Sequence, residues 1–248
     1  MNGLFFDIFN KYKTAVKHIV TNRSDSNLGN NFGLNTPDEP TNVYENRNQL
    51  KTFLNADYLI FPTQTHSATV ITVDDRILTT TNAPECDALV TNLPNVAIAV
   101  TTADCVPLLL YDAKNKAVGV VHAGLKGTVS NITIETINQM NANFGTEPKD
   151  ILVGIGPCIS VKNYEIGNDI WENISQTENR IFLYPHSNPE KRYFDLVACN
   201  ISQLLNLGVK MENIESSNIC TFDSYEDYFS YRKDKNTGRM ASVMMLVK

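Results

Sequence analysis

Apolar residues occur along the chain mainly as short runs, bounded by polar segments rich in Asn, Asp, Gly and Pro. The runs cover residues 58–61, 69–73, 87–91, 96–101, 106–111, 117–122, 150–156 and 241–247. Runs of this length, with β-branched residues inside and turn-forming residues outside, are typical of β-strands. Most of them come before the first long helical pattern, so strict alternation of strands and helices is not expected.

Helical patterns appear in the second half of the chain. Helices are predicted over residues 128–144, 167–176 and 194–206, with Gly145 and Gly208 as stop signals. Residues 22–48 are rich in Asn, Gly, Pro and Asp and predict a long irregular segment. Together these elements predict a single α+β domain over residues 1–248, with mixed β-sheets flanked by helices.

Composition and charge exclude several classes of protein. The net charge of −6 argues against nucleic acid as a partner, since a phosphate backbone requires a basic face. No run approaches the roughly 20 apolar residues that span a bilayer, and charged residues interrupt the first 20 positions, which argues against a signal peptide. The five cysteines are widely spaced without a CxxC pair. We therefore expect a cytoplasmic protein in a reducing compartment, with no membrane partner.

The first candidate chemistry comes from two strands joined by a short turn. Residues 112–116 (DAKNK) connect strands 106–111 and 117–122, which predicts a β-hairpin. Folding the chain at this turn pairs residues whose numbers add up to about 228, so Cys105 and His122 come nearly opposite one another at the open end. Cross-strand neighbours have Cβ atoms roughly 5 Å apart, close enough to share a metal ion or a proton.

His66 adds a second imidazole. It lies between two predicted strands, where a side chain reaches into a cleft. Two imidazoles and one thiolate leave the fourth position of a tetrahedral metal open, which is the pattern of a catalytic zinc site. Asp104 is predicted to orient a ligand or to hold a water molecule. We therefore take His66, Cys105 and His122 as candidate zinc ligands, and Asp104, Cys105 and His122 as candidate catalytic residues.

The residues alone leave two other interpretations of the Cys105 thiol open. Cysteine is among the most buried residue types, so Cys105 would also serve as a core residue. A Cys–His pair without metal is what a cysteine hydrolase uses, with Cys105 as nucleophile and His122 as base. The nearby imidazole of His66 favours a metal over such a dyad.

Two further segments predict binding of an anion or a substrate. The sequence HAGLKGTVSN after residue 121 places two glycines and Lys126 in a turn before a predicted helix, where backbone N–H groups attract anions. A turn that simply needs glycine is the plainer explanation. Residues 228–240 (YFSYRKDKNTGRM) supply aromatics with Arg232 and Arg239, and form either a solvated turn or a wall of a substrate pocket. Lys126 and Arg232 are the predicted contacts.

Six motifs together resemble a known family. They are QTHSATV, CDALVTN, TTADCVPLLLYD, GVVHAGLKGT, GIGPCISVKNYEIG and YFSYRKDKNTGRMAS, in this order. The combination resembles the laccase-domain family, also described as multicopper polyphenol oxidase-like or purine nucleoside phosphorylase-like. The resemblance extends from about residue 18 to the carboxyl terminus.

The resemblance implies a single α+β domain and a zinc site made by His66, Cys105 and His122. It also implies phosphorolysis of purine nucleosides (adenosine, guanosine, inosine and methylthioadenosine) and hydrolytic deamination of adenosine. The expected partners are purine nucleosides and phosphate, and the chain is expected to be a monomer or a small homo-oligomer. Copper is the less favoured alternative to zinc, since older descriptions of the family propose copper-dependent oxidation of phenols.

The chain departs from the family pattern at two places. The family usually has Trp–Arg after HAG, whereas this chain has Leu125 and Lys126, and lysine keeps the charge but loses the bidentate fork of arginine. The glycine-rich block near the amino terminus is replaced by SDSNLGN at residues 24–30. The family-like pair Asn46–Arg47 is present, and Arg47 is the predicted phosphate contact.

A phenol oxidase and a binding protein are the remaining alternatives. Three ligands with one cysteine cannot assemble the several copper centres of a phenol oxidase, and the chain has only four histidines. A non-enzymatic binding protein that keeps the pocket is compatible with the residues, although an intact ligand set argues against it.

Overall fold

The computed structural model describes residues 2–23, 29–80 and 82–248. The strands in these residues are β1 (Gly3–Leu4), β2 (Val16–Thr21), β3 (Tyr58–Ile60), β4 (Val70–Thr72), β5 (Ala88–Thr91), β6 (Val96–Thr102), β7 (Val106–Asp112), β8 (Ala117–Ala123), β9 (Ile151–Ile155), β10 (Glu165–Gly167), β11 (Leu183–Pro185), β12 (Lys191–Phe194), β13 (Ile214–Ser216) and β14 (Met240–Leu246). All the predicted strands are present, with ends shifted by at most one residue.

The α-helices of the described residues are α1 (Pro40–Leu54), α2 (Asp75–Leu78), α3 (Leu125–Val129), α4 (Ile132–Phe144), α5 (Asn168–Ser175) and α6 (Leu196–Leu207). Short 3-10 segments cover Asp7–Tyr12, Pro148–Asp150, Val161–Asn163, Glu178–Phe182 and Met211–Asn213. The predicted helices near 167–176 and 194–206 are confirmed as α5 and α6. Gly208 ends α6 in the left-handed conformation, with φ of 99°, as its position predicts.

The strands form two large mixed sheets and one small sheet. The five-stranded sheet has the order β1-β2-β14-β6-β3, and the six-stranded sheet has the order β13-β9-β7-β8-β5-β4. The pairs β3–β6, β4–β5 and β9–β13 are parallel, and the other pairs of these sheets are antiparallel. A three-stranded antiparallel sheet has the order β10-β12-β11. The predicted α+β class with mixed sheets is confirmed.

Both large sheets are buried on both faces. In β7, Leu109 and Tyr111 point toward the five-stranded sheet and contribute to the cluster between the two sheets. Leu108 and Leu110 point the other way and pack with the apolar faces of α4 and α6. Helix α1 covers the outer face of the five-stranded sheet. The layers therefore run helices, sheet, sheet, helix, and the near-continuous apolar runs are explained because neither face of a central strand meets water.

The cluster between the sheets draws on both ends of the chain. Phe6 and Phe9 contribute from the amino-terminal side, and Met244 and Leu246 contribute from β14. Packing of this kind is what the predicted single domain over residues 1–248 requires. No helix in the described parts of the chain is long and apolar enough to cross a membrane.

The predicted irregular segment at residues 22–48 is wrong in its last part. Residues 24–28 lie outside the described residues, as does most of the SDSNLGN block. From Pro40 onward the chain is helical, and α1 buries Val43, Leu50 and Leu54. These three apolar positions are seven and four residues apart, which is helical spacing. The polar residues between them are explained by the outer location of α1.

The predicted helix over residues 128–144 is divided in two. Asn131 adopts a left-handed conformation with φ of 65°, and it separates α3 from α4. Asparagine tolerates this conformation better than other residues with a Cβ atom. The break turns the chain sharply after the HAG motif, so α3 and α4 do not form one straight helix.

Candidate metal centre

The link that carries Cys105 crosses from one sheet to the other. Strand β6 ends at Thr102 in the five-stranded sheet, and β7 begins at Val106 in the six-stranded sheet. Residues 103–105 therefore span the end of the sandwich. Asp104 has φ of 90°, an unusual value for a residue with a side chain. This placement explains why a thiol stands directly before an apolar strand. Strand β7 is part of the buried core, whereas Cys105 lies on the link at the end of the sandwich.

The carboxylate of Asp104 fastens the crossing link. Its Oδ1 accepts the hydroxyl of Thr221 at 2.6 Å, and its Oδ2 accepts the backbone N–H of Arg232 at 2.6 Å. The Asp104 carbonyl also accepts the N–H of Ile159 at 2.9 Å. Asp104 thus holds two distant segments against the residue that precedes Cys105.

The predicted hairpin is present, with a register that differs by one residue from the expectation. Pro107 pairs directly with His122, so paired numbers add up to 229. Cys105 lies two residues before Pro107, and side chains two apart share a face of the strand. Cys105 and His122 are therefore diagonal neighbours on one face of the hairpin end.

His66 reaches the same place from a loop between β3 and β4. Its backbone is left-handed, with φ of 58°. Gln64 ties the loop to the end of β6, because its amide donates to the Thr101 carbonyl at 2.8 Å and accepts the Thr101 N–H at 2.7 Å. The ring of His66 lies edge-on to that of His122, with the ring centroids 4.8 Å apart.

The side chains of His66, Cys105 and His122 converge on one point. Each offers one ligand atom, and these atoms all lie within 4.8 Å of one another. His66 is exposed, Cys105 is half-buried and His122 is 3% exposed. The group is therefore closed on the His122 side and open to solvent on the His66 side, as a site with a free coordination position requires.

Asp87 contacts two of the three candidate ligands, and the sequence analysis missed it. It is fully buried. Its Oδ1 lies 2.8 Å from Nδ1 of His122 and 3.0 Å from the backbone nitrogen of His66, and its Oδ2 accepts the N–H of Ser67 at 2.6 Å. A carboxylate only accepts hydrogen bonds, so Nδ1 of His122 is the donor and Nε2 is left free for a ligand.

The pKa of Asp87 agrees with this role. Burial would raise the pKa, but the hydrogen bonds from His122 and Ser67 outweigh it and keep the pKa of this carboxyl well below its usual range. The signal in the sequence was a carboxylate inside the apolar segment 86–91. A charged residue at a fully buried position needs several donors; the N–H groups of His66 and Ser67 lie 21 and 20 residues earlier in the chain, and His122 lies 35 residues later.

Charges at the centre favour the ionised thiol. Burial would raise the pKa of Cys105, but the imidazoles of His122 and His66 lower it to about 6. Burial would lower the pKa of His122, but Cys105 and Asp87 raise it to about 9. Both shifts favour a thiolate beside an imidazolium when no metal is bound. The thiolate is the form that binds metals and the form that acts as a nucleophile.

Two imidazoles and a thiolate fit a zinc ion, and Gly124 lies close against two of these ligand groups. A Cβ atom at position 124 would lie 3.1 Å from Sγ of Cys105 and 3.1 Å from Cδ2 of His66. A residue with a side chain would therefore press on two of the three ligand groups. The glycine of the HAG motif is explained by this close approach.

The predicted substrate contacts lie outside the group of three. Arg47 donates through Nε and Nη2 to the Phe32 carbonyl, at 3.1 and 2.7 Å, and its guanidinium lies 4.0 Å from the ring centroid of Phe61. Lys126 is exposed on α3, two residues after Gly124.

Arg232 is connected to the centre through its backbone. Its N–H holds Asp104, as described above, and its guanidinium donates to the carbonyls of Asn163 at 3.3 Å and Glu165 at 3.1 Å. Arg239 is a further cation near the thiol: burial lowers the pKa of Arg239, and the negative charges of Cys105 and Asp104 oppose that effect. The segment 228–240 therefore contributes a backbone contact and a charge to this end of the sandwich.

The other two histidines are engaged elsewhere. Nε2 of His18 accepts the N–H of Phe6 at 2.7 Å. Nε2 of His186 lies 3.2 Å from a carboxylate oxygen of Glu165. Among the described residues, His66, Cys105 and His122 form the one group of three or more side chains that would hold a metal ion. A second metal centre built from histidines is therefore not found in this part of the chain.

Comparisons with known proteins agree with the motifs and the fold. A family model described as multi-copper polyphenol oxidoreductase laccase matches residues 18–247. A purine nucleoside phosphorylase of Bacteroides thetaiotaomicron is 30% identical over 261 residues, covering 99% of this chain and 96% of the relative. A purine nucleoside phosphorylase of Clostridium acetobutylicum is 38% identical over 226 residues, covering 90% of this chain and 89% of the relative.

A solved structure shares the fold. YlmD from Geobacillus stearothermophilus superposes with a TM-score of 0.86 at 26% identity, covering 94% of this chain and 92% of that chain. The family match spans nearly the whole sequence, including His66, Asp87, Cys105 and His122. The chain therefore belongs to the multi-copper polyphenol oxidoreductase laccase family.

Proposed function

We propose that the protein is a zinc-dependent purine nucleoside phosphorylase that also deaminates adenosine. The proposed substrates are adenosine, guanosine, inosine and methylthioadenosine, with phosphate as the second substrate. The observation that carries the proposal is the convergence of His66, Cys105 and His122 at an open end of the sandwich, in a chain whose relatives are named purine nucleoside phosphorylases.

The proposed zinc ligands are His66, Cys105 and His122. When bound, zinc supplies a Lewis acid that polarises water or phosphate. Asp87 keeps the His122 ring in the tautomer whose Nε2 is free, and it orients the His66 backbone. Gly124 keeps the space between the ligands clear. The exposed His66 side is the proposed entrance for substrate.

Cationic groups are proposed to hold the anionic substrate in a chain of net charge −6. Arg47 uses Nε and Nη2 to bind the Phe32 carbonyl, and its Nη1 takes no part in these bonds. Lys126 and Arg232 are the other proposed contacts. Departure of the purine leaves an oxocarbenium-like sugar, which phosphate then captures. Asp104 positions Cys105 and the segment 228–240 for this reaction.

Zinc is favoured over copper by the number of available ligands. A phenol oxidase of the multicopper type needs several metal centres, whereas His18 and His186 are engaged in other contacts. The proposed compartment is the cytoplasm, where the five thiols stay reduced. The proposed assembly is a monomer or a small homo-oligomer.

A metal-free cysteine hydrolase is the second candidate function. It is favoured by one observation, the lowered pKa of Cys105 beside the raised pKa of His122. In that mechanism Cys105 attacks a carbonyl carbon and His122 protonates the leaving group. The exposed His66, aimed at the same thiol, has no role in such a dyad, and for that reason the zinc enzyme is preferred.

The deciding experiment combines metal analysis with nucleoside turnover. Protein purified without added metal should contain about one zinc per chain, and it should release hypoxanthine from inosine only when phosphate is present. Adenosine should give inosine and adenine. Cys105→Ala and His122→Ala should lose both zinc and turnover, whereas Cys199→Ala, a buried cysteine far from these motifs in sequence, should keep both. Turnover in protein without metal would contradict the proposal, as would copper in place of zinc.

A further inference from the structure

Cys158 and Cys220 lie side by side beyond the ends of β9 and β13. They are partners in an isolated parallel bridge. The N–H of Cys158 donates to the Ile219 carbonyl at 3.2 Å, and the carbonyl of Cys158 accepts the N–H of Thr221 at 3.0 Å. Paired strands are about 4.8 Å apart, which falls within the roughly 4.4–6.8 Å between Cα atoms that a disulfide accepts.

The thiol of Cys220 is surrounded by hydrogen-bond donors. Its Sγ accepts the backbone N–H of Ser160 at 3.3 Å, the hydroxyl of Ser160 at 3.2 Å and the side-chain amide of Asn163 at 3.3 Å. Burial would raise the pKa of Cys220, but these hydrogen bonds outweigh it and lower the pKa from its ordinary value. The surroundings therefore stabilise a thiolate, which is the reactive form of cysteine.

The thiol of Cys158 has the opposite character. It is 5% exposed, and burial raises its pKa, with the negative charge of Cys220 adding to the effect. Both cysteines line an open cleft, together with Ser160, Asp195 and Ser217. A small oxidant in this cleft therefore meets an activated thiolate with a protonated thiol next to it, which is the arrangement of an attacking and a resolving cysteine.

We propose that Cys220 and Cys158 form an oxidant-responsive thiol pair that closes a disulfide after reaction with a hydroperoxide. The thiolate of Cys220 attacks the terminal oxygen of the hydroperoxide, the O–O bond breaks, and a proton completes the leaving water or alcohol. Cys220 becomes a sulfenic acid. The thiol of Cys158 then displaces hydroxide from the Cys220 sulfur, forming the S–S bond and releasing water. A dithiol reductant restores both thiols.

The pair is connected to the crossing link through the residues that follow each cysteine. Thr221 donates its hydroxyl to Oδ1 of Asp104, and Ile159 donates its N–H to the Asp104 carbonyl. A disulfide replaces the charged thiolate that Ser160 and Asn163 bind with a neutral and much weaker acceptor, so we expect both segments to shift where they hold Asp104. The chemistry of the pair does not depend on the proposed function. Only the expected loss of turnover on oxidation does.

The test uses the metal-containing protein as purified and hydrogen peroxide. Trypsin places Cys158 in residues 150–162, Cys220 in residues 211–232, and the other cysteines in residues 77–114 and 193–210. Mass spectrometry should find 150–162 joined to 211–232 after peroxide, and the joined peptide should disappear with dithiothreitol. Cys199→Ser is the matched control, because it removes a buried cysteine outside the pair and should leave the joined peptide unchanged.

The order of events is tested with single variants and dimedone, which labels sulfenic acids. Cys158→Ser should accumulate labelled Cys220, whereas Cys220→Ser should leave Cys158 unlabelled. The proposal is overturned if the joined peptide is absent while another cysteine is oxidised, or if Cys220 stays unlabelled in Cys158→Ser. If Cys220→Ser does not fold, the wild-type peptide and the labelling of Cys158→Ser still decide the question. Unchanged nucleoside turnover in disulfide-containing protein would refute only the connection to Asp104.

Discussion

Oδ1 of Asp87 lies 2.8 Å from Nδ1 of His122, and the same oxygen lies 3.0 Å from the backbone nitrogen of His66. One buried carboxylate therefore orients two of the three proposed zinc ligands. Because Asp87 is fully buried, it acts through these residues without touching substrate. We therefore expect Asp87 to act as a positioning residue, and its replacement should affect metal binding before anything else.

Asp87→Asn should lower zinc affinity by about 10- to 100-fold, which is the usual cost of losing a carboxylate partner of a metal-binding histidine. Competition with a zinc indicator measures the affinity directly. Asp112→Asn is the matched control, because Asp112 is a buried carboxylate that organises the turn at the far end of the same hairpin through the N–H groups of Lys114 and Asn115. Equal zinc affinity in both variants would show that Asp87 does not support the zinc ligands.

Gly124→Ala should lower zinc affinity by about tenfold, the low end of the cost of disturbing groups around a metal. The added methyl group would stand 3.1 Å from Sγ of Cys105 and from Cδ2 of His66, so both ligands must move. Gly119→Ala adds a methyl group to the same hairpin, 3.3 Å from Sδ of Met140 in the core. That control should lower the melting temperature and leave the affinity for zinc as it is.

Chelation should speed alkylation of Cys105. A metal-bound thiolate commits its lone pairs to the ion, so iodoacetamide reaches it slowly. With the metal removed, the pKa of about 6 makes Cys105 a thiolate at neutral pH, and it should react faster than Cys86, whose pKa is raised to about 12 mainly by burial. Fragment-ion spectra of the tryptic peptide 77–114, which contains both cysteines, distinguish the label on Cys86 from the label on Cys105 and give the two rates. Fast alkylation of active protein that contains no metal would favour the cysteine hydrolase.

Arg47→Ala should raise the KM for phosphate by about tenfold or more, the cost of one hydrogen bond to a charged group, while kcat changes less. Arg192→Ala is the matched control, since Arg192 also stacks on an aromatic ring, that of Trp171 at 4.3 Å, and carries the same charge. If Arg47→Ala lowers only the melting temperature, the role of Arg47 is to stabilise the fold through its hydrogen bonds to the Phe32 carbonyl, and it is not a phosphate contact.

His18, which is not one of the proposed zinc ligands, should make the free energy of unfolding depend on pH. Burial among Phe5, Phe6 and Phe9 lowers the pKa of His18 from 6.5 to about 4. Between these values the unfolded chain binds the proton and the folded chain does not, so stability is complete above pH 6.5 and falls as the pH drops toward 4. The loss contributed between pH 7 and pH 5 is about 2 kcal/mol.

Urea unfolding at pH 7 and pH 5 measures this dependence. His18→Gln keeps a side-chain oxygen that can accept the N–H of Phe6 but does not titrate, so the difference between the two pH values should shrink by about 2 kcal/mol relative to the natural chain. An equal pH dependence in both proteins would show that His18 is already protonated in the fold at pH 5.

The strands were predictable because both faces of each central strand are buried. Residues 96–100 and 106–111 are apolar throughout and buried, so no exposed face obscures the limits of these strands. Helix α1 was not predictable in the same way, because only Val43, Leu50 and Leu54 are buried. The residues between them are mostly polar, and several are asparagines, which are common in loops. A helix that touches the core along a narrow stripe leaves a weak pattern.

The convergence of His66, Cys105 and His122 was predicted from their chemistry and from one hairpin, and the structure brings the three side chains together. Asp87 was missed because its role depends on contacts across the fold. Nothing in the segment 86–91 says that a carboxylate there will meet the N–H groups of residues 65–67. A residue that orients a metal ligand is recognised by its contacts in the folded chain. Local sequence patterns carry little information about such contacts.

The placement of the thiol on the link between β6 and β7 has a consequence for how this chain can diverge. The strands that build the sandwich are buried on both faces and tolerate little change. The proposed metal ligands stand at their ends, with His66 and Cys105 on links between strands and His122 at the end of β8. Substitutions on the links that carry His66 and Cys105 can therefore alter the proposed site while the strands of the framework stay the same.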